Sequence, residues 1–270
     1  MILENPRKIT TKVIQRMKKD GEKISALTAY DYIIANMLDE VGIDIILVGD
    51  SLGNVFQGQE TTLPVTVDEI IYHTKAVRKG VKRALLVVDM PFLSYQISIE
   101  DAIRNCGRVL KETGAEAVKI EGGKPMLPTI KRLVEVGIPV MGHLGLTPQS
   151  IHKFGSYDVR GKQKQEAESI LQDAKALEQV GVFSLVLEKI PSSLAKKVTN
   201  SISIPTIGIG AGPYCDGQIL VVYDMLGMFE DFQPKFVRKY AELSKTMKNA
   251  FRNYIKDIKT GNFPSKEESF

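Results

Sequence analysis

Four carboxylates stand where apolar runs end: Asp50 after IILVG, Asp89 after LLVV, Glu121 after VKI and Glu188 after LVL. A fifth run, IPVMGH, ends in His143. One acid in such a place is ordinary, because turns accept Asp and Glu. Four, each breaking a separate run, form a pattern. Three oxygen-bearing acids suit a hard cation such as Mg2+, which takes few carboxylates and keeps several waters. No Cys or multi-His cluster offers the ligand set of structural zinc. A cation held by carboxylates leaves positions for a bidentate ligand. A 2-oxo acid is one, through its keto and carboxylate oxygens, and the metal then stabilises an enolate as a Lewis acid. Lys119, two residues before Glu121, has two readings: an ammonium for the substrate carboxylate, or an internal ion pair. Glu188 closes an apolar run and is the best candidate for the base that enolate chemistry needs. Its alternative is a salt bridge to Lys189 or another loop cation.

These residues converge only if their runs are parallel neighbours. Eight short apolar runs alternate with amphipathic stretches. The runs predict strands over 24–29, 44–49, 83–89, 115–121, 138–143, 183–188, 204–211 and 218–225. Helices are predicted between them, one with Thr66 as N-cap and Glu69 as its capping-box partner, and a long basic one over 234–259. Near-continuous apolar strands linked by helical crossovers are the pattern of a parallel sheet covered on both faces. The fold predicted is α/β, a single (β/α)8 TIM barrel over residues 1–270, with an N-terminal helix before Gly21 as a cover for the barrel bottom. An open doubly wound sheet is the alternative; even spacing and the lack of a linker favour closure. In such a barrel all strand C-termini share one face, where the chemistry sits. Gly21, Gly42, Gly80, Gly114, Gly137 and Gly181 end helices, where the left-handed C′ conformation is free of steric cost for Gly. The stretch 144–162 is long for a connector and is a candidate lid.

The bulk numbers bound the rest. A chain of 270 residues, 43% apolar and 25% charged, can bury one large core. A net charge of +4 gives no reason to expect nucleic acid or an anionic membrane as partner. No run approaches the ~20 apolar residues of a membrane span, and MILENPRKITTK lacks the apolar core of a secretory signal. Cys106 and Cys215 read as reduced thiols of a cytoplasmic protein. Two glycine-rich stretches, 49–58 and 208–212, match neither a P-loop nor a dinucleotide fingerprint; they read as tight turns or as a phosphate cradle. His73 reads as a surface or core residue within a helix, and His152 lies in the long loop with no assigned role.

The motifs TAYDY (28–32), LVGDSLG (47–53), TLPVTVDE (62–69), VKIEGG (118–123), GHLGLTPQS (142–150) and IGIGAG with DGQILV (216–221) resemble the ketopantoate hydroxymethyltransferase family, in order and without large gaps from about residue 10. The resemblance implies transfer of a hydroxymethyl group from 5,10-methylenetetrahydrofolate to 3-methyl-2-oxobutanoate, giving 2-dehydropantoate in pantothenate biosynthesis. It implies Mg2+ surrounded by Asp50, Asp89 and Glu121, the last through water. It implies substrate contacts from Asp50, Ser51, Asp89 and Lys119, with His143 nearby, and Glu188 as proton acceptor. It implies a homo-oligomer, often a decamer in the family, and assigns no folate-binding residue. One stretch departs: where the family often reads GGYKVQG, this chain has GSYDVRG (155–161), with Asp158 in place of a common Lys.

Two other readings remain at this level. A carbon–carbon lyase or phosphonomutase of related barrel architecture also uses Mg2+ and a 2-oxo acid, but without folate. A non-catalytic scaffold would not need acids on four strands.

Overall fold

Eight strands pair in chain order, all parallel, and close into a barrel. They are β1 (Ile24–Thr28), β2 (Ile45–Val48), β3 (Leu85–Asp89), β4 (Ala117–Glu121), β5 (Val140–Gly145), β6 (Ser184–Glu188), β7 (Thr206–Ile209) and β8 (Gly217–Leu220). The computed structural model describes residues 8–229 and 234–270. Of the N-terminal stretch read for a signal, residues 1–7 lie outside them. The chain falls into two units, Met1–Val221 and Val222–Phe270.

In the first unit, alternation along each strand separates inside from outside. Ile24, Ala26, Ile45, Leu47, Leu85, Val87, Ala117, Met141 and Ile207 join one buried core cluster inside the barrel. Helix α1 (Thr11–Asp20) adds Ile14 to that cluster, with Ile9 just before it. The N-terminal helix therefore closes the barrel at the N-terminal ends of the strands, as expected. The same inward alternation places Asp89 above Val87, Lys119 and Glu121 above Ala117, His143 above Met141, and Glu188 above Val186. The interior is thus oily at the bottom and polar at the mouth.

Helices α2 (Tyr32–Glu40), α3 (Val67–Gly80), α4 (Ile99–Thr113), α5 (Leu127–Glu135), α6 (Lys164–Gln179) and α7 (Ser192–Ser201) fill the crossovers. The Thr66–Glu69 capping box forms as expected, fixing the start of α3. Five of the six expected helix-stopping glycines take positive φ: Gly21, Gly42, Gly114, Gly137 and Gly181. Gly80 does not. It is the last residue of α3, and a Cβ there would stand 2.7 Å from Asn36 N and 2.8 Å from Tyr32 O. It serves a close crossing of α2 and α3 instead of a left-handed turn.

The run expected as strand 218–225 is a strand only to Leu220, in the first unit, and Val222–Met225 of the second unit is a helical turn. A short apolar run does not by itself separate the two. The long basic helix α8 spans Leu243–Thr260, starting later than Pro234. Among the described residues no helix is long and apolar enough to cross a membrane.

Candidate active site at the barrel mouth

A cavity of about 150 Å3 opens at the C-terminal ends of the strands. Asp50, Ser51, Asp89, Lys119, His143 and Glu188 all line it, so the residues singled out from sequence meet there. Glu121 does not line it; its carboxylate lies behind, against His143 and the backbone of Gln149. Leu47, Val186, Ile209 and Ile219 give the cavity an apolar wall.

The charges are packed tightly. Lys119 Nζ lies 2.7 Å from Asp89 Oδ1, both side chains 5% exposed, across the paired positions of β3 and β4. Asp89 Oδ2 accepts the Asp50 backbone N–H at 3.1 Å. That approach depends on Gly49, where a Cβ would come within 2.7 Å of Ser51 Oγ and 3.3 Å of Asp89 Oδ2. Ser51 Oγ is 2.8 Å from the hydroxyl of Tyr30. Burial works against the Lys119 ammonium, but Asp89, Glu121 and Asp50 outweigh it and hold its pKa above the ordinary lysine value. Lys119 is therefore a fixed cation among three acids.

Lys119 Nζ also lies 3.0 Å from His143 Nδ1. An ammonium only donates, so Nδ1 accepts and its neighbours assign the ring proton to Nε2. Nε2 is 3.2 Å from Glu188 Oε2. Nδ1 is also 3.3 Å from Glu121 Oε1, but a lone pair offers that oxygen no proton. Both contacts are at ion-pair distance without hydrogen-bond geometry, and Glu121 Oε1 and His143 Nε2 are buried with no hydrogen-bond partner. Burial and Lys119 oppose a positive imidazole, but Glu121 and Glu188 outweigh them and raise the His143 pKa above its ordinary value. Glu188 faces His143 and the cavity. Lys189, its alternative partner, donates instead to the Tyr157 carbonyl.

Asp50 is the most perturbed acid. Burial pushes its carboxyl up to about 8; Asp89 and Glu121 push the same way, while Lys119 and the Gln149 amide pull it down. One lysine thus serves three buried acids, and the surplus charge and the orphaned Glu121 oxygen fit a divalent cation. Among the described residues no group of three or more His, Cys, Asp or Glu is arranged as a ready-made metal cage. A cation bound here would be held by few carboxylates, with water completing its shell.

Three residues escaped the sequence reading. Gln149 is buried and donates Nε2 to Asp50 Oδ2 at 2.8 Å. Tyr95, 1% exposed, donates its hydroxyl to Gln149 Oε1 at 2.8 Å and accepts the Glu121 N–H at 3.3 Å. Tyr157, from the departing loop, lines the cavity; burial and the Glu188 charge raise its phenol pKa. The motif containing Gln149 was visible, but no residue-type rule marks a loop amide. Asp158 is exposed and accepts from Ser156 Oγ at 2.7 Å. His73 is buried, with Nδ1 2.7 Å from the Tyr30 carbonyl, and His152 is exposed. Gly210 and Gly212 take positive φ in a bend after β7. Both cysteines are free and buried.

Among solved structures, phosphonopyruvate hydrolase in complex with oxalate and Mg++ aligns with a TM-score of 0.62 at 10% identity, covering 96% of this chain and 93% of that one. A 2,3-dimethylmalate lyase of the PEP mutase/isocitrate lyase superfamily aligns with a TM-score of 0.61 at 14% identity, covering 98% and 92%. At such identities the likeness is one of fold. The 3-methyl-2-oxobutanoate hydroxymethyltransferase of Prosthecochloris aestuarii is 58% identical over 266 residues, 97% of this chain and 96% of the relative. That of Syntrophus aciditrophicus is 56% identical over 264 residues, covering 98% and 97%. The sequence model described as Ketopantoate hydroxymethyltransferase matches residues 8–266. The chain therefore belongs to the ketopantoate hydroxymethyltransferase family and is an enzyme that transfers a one-carbon group.

Proposed function

We propose that the enzyme joins the methylene carbon of 5,10-methylenetetrahydrofolate to carbon 3 of 3-methyl-2-oxobutanoate, forming 2-dehydropantoate for pantothenate synthesis. What supports this reading is the run of contacts from Lys119 through His143 to Glu188, along a cavity bounded by Asp50 and Asp89. Its size is below that of pockets for drug-sized ligands and suits a small branched acid. Asp50 and Asp89 would hold Mg2+, with Glu121 acting through water. The oxalate and Mg++ bound by the phosphonopyruvate hydrolase neighbour are the same kind of pair, a small chelating acid with a divalent cation. When bound, the metal supplies Lewis acidity at the keto oxygen.

The chain's own residues do the rest. The Lys119 ammonium, kept charged by its acids, pairs with the substrate carboxylate. Ser51, oriented by Tyr30, donates to the same substrate. Glu188 takes the proton from carbon 3, and the bonding pair becomes the enolate. His143, with its proton on Nε2, stands 3.2 Å from Glu188 Oε2, within reach of a hydrogen bond once the two groups align. Water replaces both C–N bonds of the donor, so tetrahydrofolate leaves with the two protons of water on N5 and N10 and the carbon is delivered as a formaldehyde carbonyl. Carbon 3 bonds to it, and the proton held by Glu188 passes to the new alkoxide as the hydroxyl. By family resemblance the enzyme is a cytoplasmic homo-oligomer.

Formation of 2-dehydropantoate is measured with and without folate donor and EDTA; turnover without folate would overturn the reading. Glu188→Gln is expected to bind 3-methyl-2-oxobutanoate normally while deuterium exchange at carbon 3 falls about 10²- to 10⁴-fold. Exchange at the wild-type rate removes Glu188 as the base.

A further inference from the structure

The Gln149 side chain has no polar atom to spare. Its Nε2 donates to Asp50 Oδ2 at 2.8 Å and to the Met90 carbonyl at 2.9 Å. Its Oε1 accepts from Tyr95 Oη at 2.8 Å and from Gln96 Nε2 at 3.3 Å. Its backbone N–H donates to Glu121 Oε2 at 3.1 Å. The amide cannot be turned over, because the Met90 carbonyl only accepts. The Tyr95 hydroxyl already accepts from the Glu121 N–H, so it gives its proton to Oε1. One residue thus grips one oxygen each of two acids at the C-terminal ends of different strands, β2 and β4.

The chemical type matters. A Lys or Arg here would neutralise the acids and occupy the place of a cation. An amide donates hydrogen bonds but carries no charge, so both carboxylates keep their attraction for a metal. Glu121 Oε1 stays buried with no hydrogen-bond partner. Gln149 also sits in the 3-10 turn Pro148–Ser150, followed by Ile151–Phe154, at the root of the long loop.

We propose that Gln149 is a positioning residue: it sets Asp50 and Glu121 for a divalent cation and ties the root of the loop over 146–162 to that pair. This rests on the metal reading above. The test uses the full-length protein without substrate and reads Mn2+ affinity by electron paramagnetic resonance, with amide hydrogen exchange of 146–162. Wild type is expected to bind Mn2+ and gain protection in the loop. Gln149→Leu is expected to bind about ten- to a hundredfold more weakly and to lose the metal-dependent protection. Tyr95→Phe, which removes only the hydroxyl that orients the amide, is expected to shift affinity in the same direction by less, and it decides the matter should the leucine variant not fold. If wild type binds and both variants bind equally well, the assignment to Gln149 falls while the metal reading stands. If wild type binds no Mn2+, the metal reading falls and takes this assignment with it.

Discussion

Replacing Asp50 by Asn is expected to stabilise the metal-free protein while abolishing its response to metal. The Asp50 carboxyl is raised from 3.8 to about 8 by burial and by the charges of Asp89 and Glu121. In the unfolded chain it ionises near its ordinary value. Below about pH 4 both states hold the proton, and the acid costs the fold nothing. As pH rises from there toward 8, only the unfolded chain releases the proton, so native stability falls progressively. Above 8 the loss is constant. At neutral pH the gap is roughly 3 pH units, which at about 1.4 kcal/mol each gives an upper figure near 4 kcal/mol. Local relaxation and water entry bring the expected value to about 2–4 kcal/mol. For a chain of this size that corresponds to roughly 5–15 °C in Tm. Asn keeps the shape, and its oxygen can still accept from the Gln149 amide. The assay is thermal unfolding in EDTA at pH 5, 7 and 8.5, repeated with Mg2+. The increment of the variant over wild type should grow with pH, and Mg2+ should stabilise wild type alone. A variant no more stable than wild type at any of these pH values would refute the electrostatic reasoning.

Lys119→Met removes the cation paired with Asp89 and leaves buried acids uncompensated, so a loss of about 3–5 kcal/mol is expected by denaturant unfolding at neutral pH. A loss that shrinks toward acidic pH distinguishes this from poor packing. Gly80→Ala drives a methyl against the backbone of α2 and is expected to cost about 1–3 kcal/mol with no change in KM of the folded fraction. Tyr157→Ala opens the cavity beside Glu188 and is expected to raise KM severalfold, whereas Tyr157→Phe, which keeps the ring, should stay near wild type; equal effects of the two would point to the hydroxyl instead.

The strand periodicity and the acids ending four strands were legible because burial on both faces makes such strands almost wholly apolar, so one acid at an end stands out. Asp50, Asp89, Lys119, His143 and Glu188 line one cavity for that reason. Gly80 misled because a helix-ending glycine has two uses, a left-handed turn and a close crossing, and only the neighbouring helix decides between them. The eighth run misled because VVY and its flanks suit a strand or a helical turn equally. Gln149 was visible only as part of a motif, and Tyr95 left no signal. Their roles come from loops folding back across the mouth, and loop residues obey no period. The departing Asp158 is exposed and bonded to its neighbour Ser156.

The vertical division inside the barrel has an evolutionary consequence. Ile14 and the lowest inward residues, such as Ile24, Ile45 and Leu85, form an anchorage that lines none of the cavity. Substitutions in the upper tier can therefore re-tailor which keto acid is accepted without disturbing the foundation. Drift in the lower tier would show as poorer yield of folded protein, with selectivity left intact.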